Sequence, residues 1–339
     1  MAALKQFDMT TGEHSNTDNL LYRLLAVPPN FFSITMGLAG LAGAWRLAGN
    51  LYGFPVQIGD ILYLTTAMVY LLLVIVFAAK LVLTWKTVIA EFNHPVMGPF
   101  NSLLPITGML LAVGLEPHAH HVAQVMFLVF LTVTLLLGSW MTGRWIISKL
   151  DGDSVHSGYI LPTVAGGLIG SDGLARFGIA ELGWMSFGAG IISWLLLSSI
   201  ILNRLFSHPS LPSALIPTLA IEVAPPVVAG NAYFMLTGGS VNPLTYMLAG
   251  YAVLMILMQL RLFPVYSKLA FTPSFWSFTF PYTAVAVYTM RWINIEHPIG
   301  AMLMGRTVLA TATLLISGIA LRSLVALRQG KFLSTTAVP

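Results

Sequence analysis

The side chains of this sequence that could do chemistry are few, and most of them sit inside apolar runs. Glu222, in Leu219-Ala220-Ile221-Glu222-Val223-Ala224-Pro225, is the acidic residue placed deepest in such a run. An ionisable group in that setting marks a proton or ion pathway by default. Glu222 is therefore a candidate proton-sensitive group. The plainer alternative is a protonated acid bonded to a neighbouring helix. Pro105, Pro162, Pro225 (followed by Pro226) and Pro281 lie near the middle of alternate apolar runs. An interior proline deletes a helical hydrogen bond and kinks the helix, at a cost of about 3 kcal/mol. In lipid this is tolerated where the freed carbonyls face protein or a water-filled cavity. Thr107, Thr163 and Thr283 follow three of these prolines within two residues. Each hydroxyl either bonds its own helix or faces a pore. A lining of hydroxyls and half-helix ends suits permeation, because an ion must bind weakly enough to leave. Phe280 stands directly before Pro281, midway along its run, where an aromatic ring could plug a pore by sterics and dewetting.

Other reactive constellations are sparse. His118, His120 and His121 cluster after the third run, with Glu116 as the acidic neighbour. Imidazoles at this spacing can bind zinc or copper, which leaves a membrane metalloenzyme as a remote reading. A solvated loop is the simpler one, and no metal or other cofactor is expected. The sequence has no Walker loop, no GxSxG and no zincin helix, so no enzyme is expected. It also has no cysteine, which excludes disulfides and thiolate sites.

These residues need elements to hold them, and composition says which. Of 339 residues, 57% are hydrophobic and 8% charged, against roughly 25% charged in a soluble domain. Mean hydropathy is +0.82. This is an all-α polytopic membrane chain, and its pI of about 9.3 is no sign of a nucleic-acid partner. Charge-free apolar stretches cover 24–45, 61–79, 95–115, 122–143 and 182–203, with a shorter one at 157–171. Residues 205–260 hold room for two more, split near Gly238-Gly239-Ser240, and the last two cover 269–290 and about 299–327. A span needs about 20 apolar residues, so ten transmembrane helices are predicted. They form one domain, 24–328, between short tails at 1–23 and 329–339.

The polar first 23 residues lack the apolar core of a cleavable signal. Lys5, Arg23, Lys80, Lys86, Arg144, Lys149, Arg204, Arg261, Lys268, Arg322, Arg328 and Lys331 fall in the tails and in loops after even spans. Arg46, Arg176, Arg291 and Arg306 fall after odd spans. This asymmetry places both termini in the cytoplasm. Arg46, Arg291 and Arg306 are then external, where they either draw anions or snorkel to headgroups. Even spans are dense in Leu, Ile, Val and Phe, as in Leu71-Leu72-Leu73-Val74-Ile75, which suits lipid contact. Odd spans are rich in Gly, Pro, Ala and Thr, as in Thr35-Met36-Gly37-Leu38-Ala39-Gly40, and small residues let backbones approach. The arrangement predicted is five helical hairpins, odd helices inside and even helices outside. Phe92-Asn93-His94-Pro95 and Phe206-Ser207-His208-Pro209 repeat as turn signals before spans 3 and 7.

Several short motifs in one order carry a resemblance. They are Leu104-Pro105-Ile106-Thr107-Gly108-Met109, Tyr159-Ile160-Leu161-Pro162-Thr163-Val164-Ala165, Gly188-Ala189-Gly190 with Ser193-Trp194, Leu260-Arg261-Leu262-Phe263-Pro264 and Trp276-Ser277-Phe278-Thr279-Phe280. Over most of residues 28–332 the chain resembles the tellurite-resistance/dicarboxylate transporter family, which includes bacterial TehA and the plant guard-cell slow anion channels. The resemblance implies ten helices with quasi-fivefold symmetry around one pore per subunit, a homotrimer in the bacterial inner membrane, and small inorganic or organic anions as the permeating species. It implies that Phe280 is the pore gate; the residue pattern itself has Pro105, Pro162, Pro225 and Pro281 kinking the lining helices and Thr35, Thr107, Thr163 and Thr283 lining the pore. Two departures stand out. Thr35 occupies the place of a first-span proline, with Pro28 and Pro29 at the span start instead, and Glu222 replaces an uncharged residue. The function expected is an anion channel or channel-like transporter linked to tellurite resistance. The alternative is a proton-coupled carrier of dicarboxylates that uses Glu222.

Overall fold

A computed structural model describes residues 25–148 and 152–333. The predicted tail 1–23, Lys149 and the residues beyond 333 lie outside the described part. Among the described residues every regular element is helical. The helices are α1 Phe32–Tyr52, α2 Val56–Leu83, α3 Trp85–Asn93, α4 Leu103–Leu115, α5 His120–Ile147, α6 Gly166–Arg176, α7 Ala180–Ser207, α8 Ala224–Thr237, α9 Pro243–Tyr266, α10 Thr279–Glu296 and α11 Ala301–Arg328.

One pattern recurs five times along the described chain. A tight 3-10 segment leads into an α-helix of 11 to 21 residues, and a helix of 24 to 28 residues follows. The leads are Pro29–Phe31, Gly98–Ser102, Ser157–Ile160, Ile216–Val223 and Pro273–Phe278, and the third runs on through a π turn, Leu161–Ala165, before α6. Proline explains the change of winding. Without an N–H it cannot close the α-type bond to the residue four back, and 3-10 or π geometry absorbs the defect. Pro105, Pro225 and Pro281 fall in the first three residues of α4, α8 and α10, and Pro162 falls in the π turn. In the first unit the prolines stand only at the lead, and α1 runs unbroken through Thr35.

The shorter helices pack in a closed cycle, α1 on α4, α4 on α6, α6 on α8, α8 on α10 and α10 on α1. The long helices lie outside, α2 on α1, α5 on α4, α7 on α6, α9 on α8 and α11 on α10. Glycine permits the close approaches. A Cβ on Gly167 of α6 would stand 2.9 Å from the Gly190 Cα of α7. Gly53 and Gly238 end α1 and α8 in the left-handed region, at φ of 71° and 65°, which glycine adopts without a steric cost.

The outer surface is apolar. Leu71, Leu72, Ile75, Leu195, Leu196, Leu257 and Leu314 are all exposed, far more than a water-facing surface carries. Counting the leads, eight helices among the described residues are long and apolar enough to cross a membrane. The cycle has two further members, 157–176 and 273–296. The first is broken into three kinds of helix, and the second carries Arg291.

Candidate functional site

Two cavities lie on the axis of the inner cycle, and each is bordered by all five units. The first, of about 40 Å³, lies at the 3-10 ends, among Ser33, Met36, Phe100, Leu103, Ile160, Leu161, Val164, Ile221, Pro225, Trp276, Ser277 and Pro281. Its walls are apolar apart from the hydroxyls of Ser33 and Ser277. The second, of about 120 Å³, lies toward the other ends, among Gly40, Gly43, Tyr63, Val113, Asp172, Arg176, Asn231, Thr283, Val287 and Arg291. Phe280 and Val228 border both. The Phe280 ring is half-buried although it sits at the centre of the helical cycle, because it has empty space on two sides.

The ring is held from α1. A Cβ on Gly40 would stand 3.2 Å from Phe280 Cδ2 and 2.3 Å from Thr283 Oγ1, and one on Gly37 would meet Thr279. Thr279 and Thr283 thus seat in a notch made by the two glycines. Both hydroxyls donate to the carbonyl three residues back, Thr279 to Trp276 at 2.7 Å and Thr283 to Phe280 at 2.8 Å. Thr35 does the same to Phe32 at 2.9 Å. On the outer helices the corresponding bonds reach four residues back, as in Thr132 to Leu128 and Thr307 to Leu303. The inner hydroxyls follow the tighter local winding.

Of the threonines named from the sequence, Thr283 borders a cavity. Thr35 and Thr107 are fully buried in helix contacts, and Thr163 packs toward Gly138 of α5. The hydroxyls of Thr107 and Thr163 have no hydrogen-bond partner. Pro225 and Pro281 border the first cavity. Pro105 is buried in α4, and the Pro162 carbonyl faces Gly138. Glu222 is 3% exposed. Its neighbours Ile221, Ala224 and Pro225 border the first cavity, whereas Glu222 turns to the back of the wall. There the Ser157 hydroxyl is its polar neighbour, and Glu222 Oε1 lacks a well-formed hydrogen bond.

The arginines divide into two groups. Arg46 bonds Asp60 at 2.6 Å, contacts His118 at 3.2 Å, donates to the Gly114 carbonyl and lies over the Tyr63 ring. Arg306 lies over the Phe54 ring. His120 pairs with Glu116 at 3.2 Å and meets the His121 ring edge to face, so all three clustered histidines have side-chain partners. Arg291 is 9% exposed and borders the second cavity with Asp172 and Arg176. Asp172 takes Arg176 Nε at 2.8 Å and Arg291 Nη1 at 3.5 Å, and Arg291 Nη1 also donates to the Asn231 carbonyl at 2.7 Å. Asp172 and Asn231 were not named from the sequence, and Arg176 entered only as one of the arginines after odd spans. The four-residue spacing of Asp172 and Arg176 on a helix was the available signal.

The arrangement offers a central axis, a ring across it, and a charged chamber on one side. The chain matches the voltage-dependent anion channel (SLAC1) family over residues 26–324. It belongs to that family. It is 29% identical over 309 residues to the tellurite resistance protein TehA homolog of Haemophilus influenzae, covering 90% of this chain and 92% of that one. It is 24% identical to the S-type anion channel SLAH3 of Arabidopsis thaliana, covering 89% of this chain and 48% of that one. The guard cell S-type anion channel SLAC1 of the same plant is 21% identical, covering 85% and 54%. The chain thus spans about half the length of these plant relatives. With its apolar exterior, it is a multi-pass membrane protein of the TehA and SLAC1 type of anion channel and transporter. Its relatives are named as channels, transporters and a resistance protein rather than as enzymes.

Proposed function

We propose that the chain is an anion channel or channel-like transporter whose pathway is the axis of the inner cycle and whose closed plug is the Phe280 ring. The observation that carries this is the position of the ring between two axial cavities. An aromatic ring at a constriction excludes water and ions together. The pathway is formed by ten crossings, the eight apolar helices plus 157–176 and 273–296, arranged as five hairpins with quasi-fivefold symmetry. Pro105, Pro162, Pro225 and Pro281 shape the inner helices by forcing the change of winding. Of the four threonines expected to line the pathway, Thr283 supplies a hydroxyl beside it, while Thr35, Thr107 and Thr163 pack between helices.

Residues 24–328 form the single transmembrane domain, and 1–23 and 329–339 are tails. The basic loops place both termini in the cytoplasm of a bacterium, with the domain in the inner membrane. The family resemblance adds a homotrimer with one pore per subunit. Tellurite resistance, the name of one relative, is then a phenotype of anion traffic.

The second reading, a proton-coupled carrier of dicarboxylates, rests on the buried, poorly partnered carboxyl of Glu222. Its place behind the wall rather than on the axis favours the channel. In reconstituted liposomes Phe280→Ala is expected to carry anion current well above wild type. A folded variant at background current refutes the gate. Collapsing the proton gradient separates the two readings, because a carrier then loses substrate accumulation and a channel does not.

A further inference from the structure

We propose that the crevice between α3 and the last turns of α5 holds one anionic glycerophospholipid of the leaflet at the 3-10 ends, its phosphate beside Arg144 and one acyl chain along Ile89 and Leu137. The site lies away from the axis and does not depend on the channel reading. Two cavities meet there. One, of about 240 Å³, lies among Asn93, His94, Pro99, Arg144, Trp145 and Ser148. The other, of about 320 Å³, lies among Ile89, Phe92, Asn93, Leu137 and Trp140. Phe92 and Asn93 border both, so a ligand with a polar head and an apolar tail can occupy the two together. Phe92-Asn93-His94-Pro95, a turn signal in the sequence, forms one wall of the polar half.

Each half has the chemistry of one half of a lipid. Arg144 donates through Nη2 to the Asn93 carbonyl at 2.6 Å and lies over the Trp140 ring, which leaves Nε and Nη1 without a protein partner among the described residues. His94 Nδ1 accepts from the Val96 and Met97 N–H groups at 3.2 and 3.3 Å, so Nε2 carries the hydrogen and is a second donor. No acidic side chain borders either cavity among the described residues. The flanking carboxylates are taken, Glu91 by Lys80 at 2.6 Å and Asp153 by His208 at 2.8 Å. A basic pocket at the helix ends attracts an anionic headgroup. Apart from Asn93, the walls of the other half are aliphatic or aromatic, and Ile89 and Trp140 are exposed to the lipid side. Leu137 and Arg144 are seven residues apart on one face of α5, so the acyl groove lies about 10 Å deeper than the charge. Arg204, which ends α7 as Arg144 ends α5, is 4% exposed and donates inward to the Pro209 and Asp153 carbonyls; Arg144 is the one that faces a headgroup-sized space.

The test uses the full-length protein, purified in detergent and delipidated, with phosphatidylglycerol, phosphatidylcholine and inorganic phosphate as probes. Saturating phosphatidylglycerol should raise the melting temperature about 5–10 °C further than phosphatidylcholine of the same chains. Arg144→Gln should lose that difference. Arg261→Gln, at an exposed arginine outside both cavities, should keep it. Equal stabilisation of wild type by the two lipids overturns the proposal, as does a difference that survives Arg144→Gln or one that both arginine variants lose. Inorganic phosphate stabilising as much as phosphatidylglycerol assigns the pocket to a free anion and overturns the lipid. Should Arg144→Gln not fold, Ile89→Glu takes its place. Ile89 is 47% exposed, and a carboxylate there fouls the acyl groove and repels the phosphate. The lipid difference should vanish in this variant too, and its persistence overturns the proposal.

Discussion

Replacing Gly40 by alanine tests how Phe280 is held. The new Cβ would stand 2.3 Å from Thr283 Oγ1 and 3.2 Å from Phe280 Cδ2. The first distance is not tolerated, so either the Thr283 side chain turns or α10 retreats from α1. Thr283 is anchored by its 2.8 Å bond to the Phe280 carbonyl, which makes turning costly. Overpacking of this kind costs about 1–3 kcal/mol. Alanine in place of glycine inside a helix returns about 1 kcal/mol. The net loss is therefore about 0–2 kcal/mol, too small an effect to interpret alone. The coupling is the sharper quantity. Thr283→Ala removes the clashing oxygen and loses one hydrogen bond worth about 1 kcal/mol. In the double variant the 2.3 Å contact is gone and contacts of 3.2 Å to Phe280 Cδ2 and the residue-283 Cβ remain, so the two changes together should destabilise by about 1 kcal/mol less than their sum. Thermal unfolding in detergent reads this as a few degrees, at about 2–4 °C per kcal/mol for large domains. Gly188 has open space around its missing Cβ, so Gly188→Ala is the control and should gain stability. Additivity of Gly40→Ala and Thr283→Ala within about 0.5 kcal/mol would refute the notch.

Two further outcomes follow from buried polar groups near the 3-10 ends. Lys80 is 1% exposed and bonds Glu91 at 2.6 Å and the Val27 carbonyl at 3.1 Å; Lys80→Met should destabilise by about 3 kcal/mol by leaving Glu91 unpaired, and adding Glu91→Gln should restore much of it in the same melting assay. His156 is fully buried; its Nδ1 accepts from Gly158 N–H, its Nε2 meets the Val96 carbonyl, and burial pushes the imidazole down to about 4. The unfolded chain protonates first, so this group costs nothing above about pH 7, and stability falls as pH drops from 6.5 toward 4, by about 3 kcal/mol in all. His156→Gln should remove that share of the acid slope, and identical slopes in the two proteins would contradict the assignment.

Much of the architecture was legible because lipid contact and helix contact demand different residues. The Leu71–Ile75 run and the Gly37/Gly40 spacing announce their surroundings without help from distant parts of the chain. The prolines were legible as defects, and the structure adds the form the defect takes, a change of winding at the same residues. The chamber around Arg291 was not legible. The fifth apolar stretch ends at 171, one residue before Asp172, so composition assigned the charged end of α6 to a loop. Arg291 was read with Arg46 and Arg306 as an external arginine, because hydropathy reports depth along a span and not which way a side chain turns. Glu222 shows the same gap. Its depth was readable, but its direction, behind the wall rather than on the axis, depends on how the Ile216–Val223 segment is wound.

The five inner helices all run the same way, from 3-10 lead to far end. In an up-down bundle neighbouring helix macrodipoles oppose each other; here they add. Each helix contributes roughly half a positive charge at its start and half a negative charge at its finish, so the axis carries a built-in field. At the finishing end of α4 Arg46 donates to the Gly114 carbonyl, whereas Arg291 donates to the Asn231 carbonyl midway along α8. Arg46 therefore offsets, at the end of α4, part of a negative potential that opposes anions. The two directions of anion passage are electrically unequal in such a pore, and the current it carries should rectify.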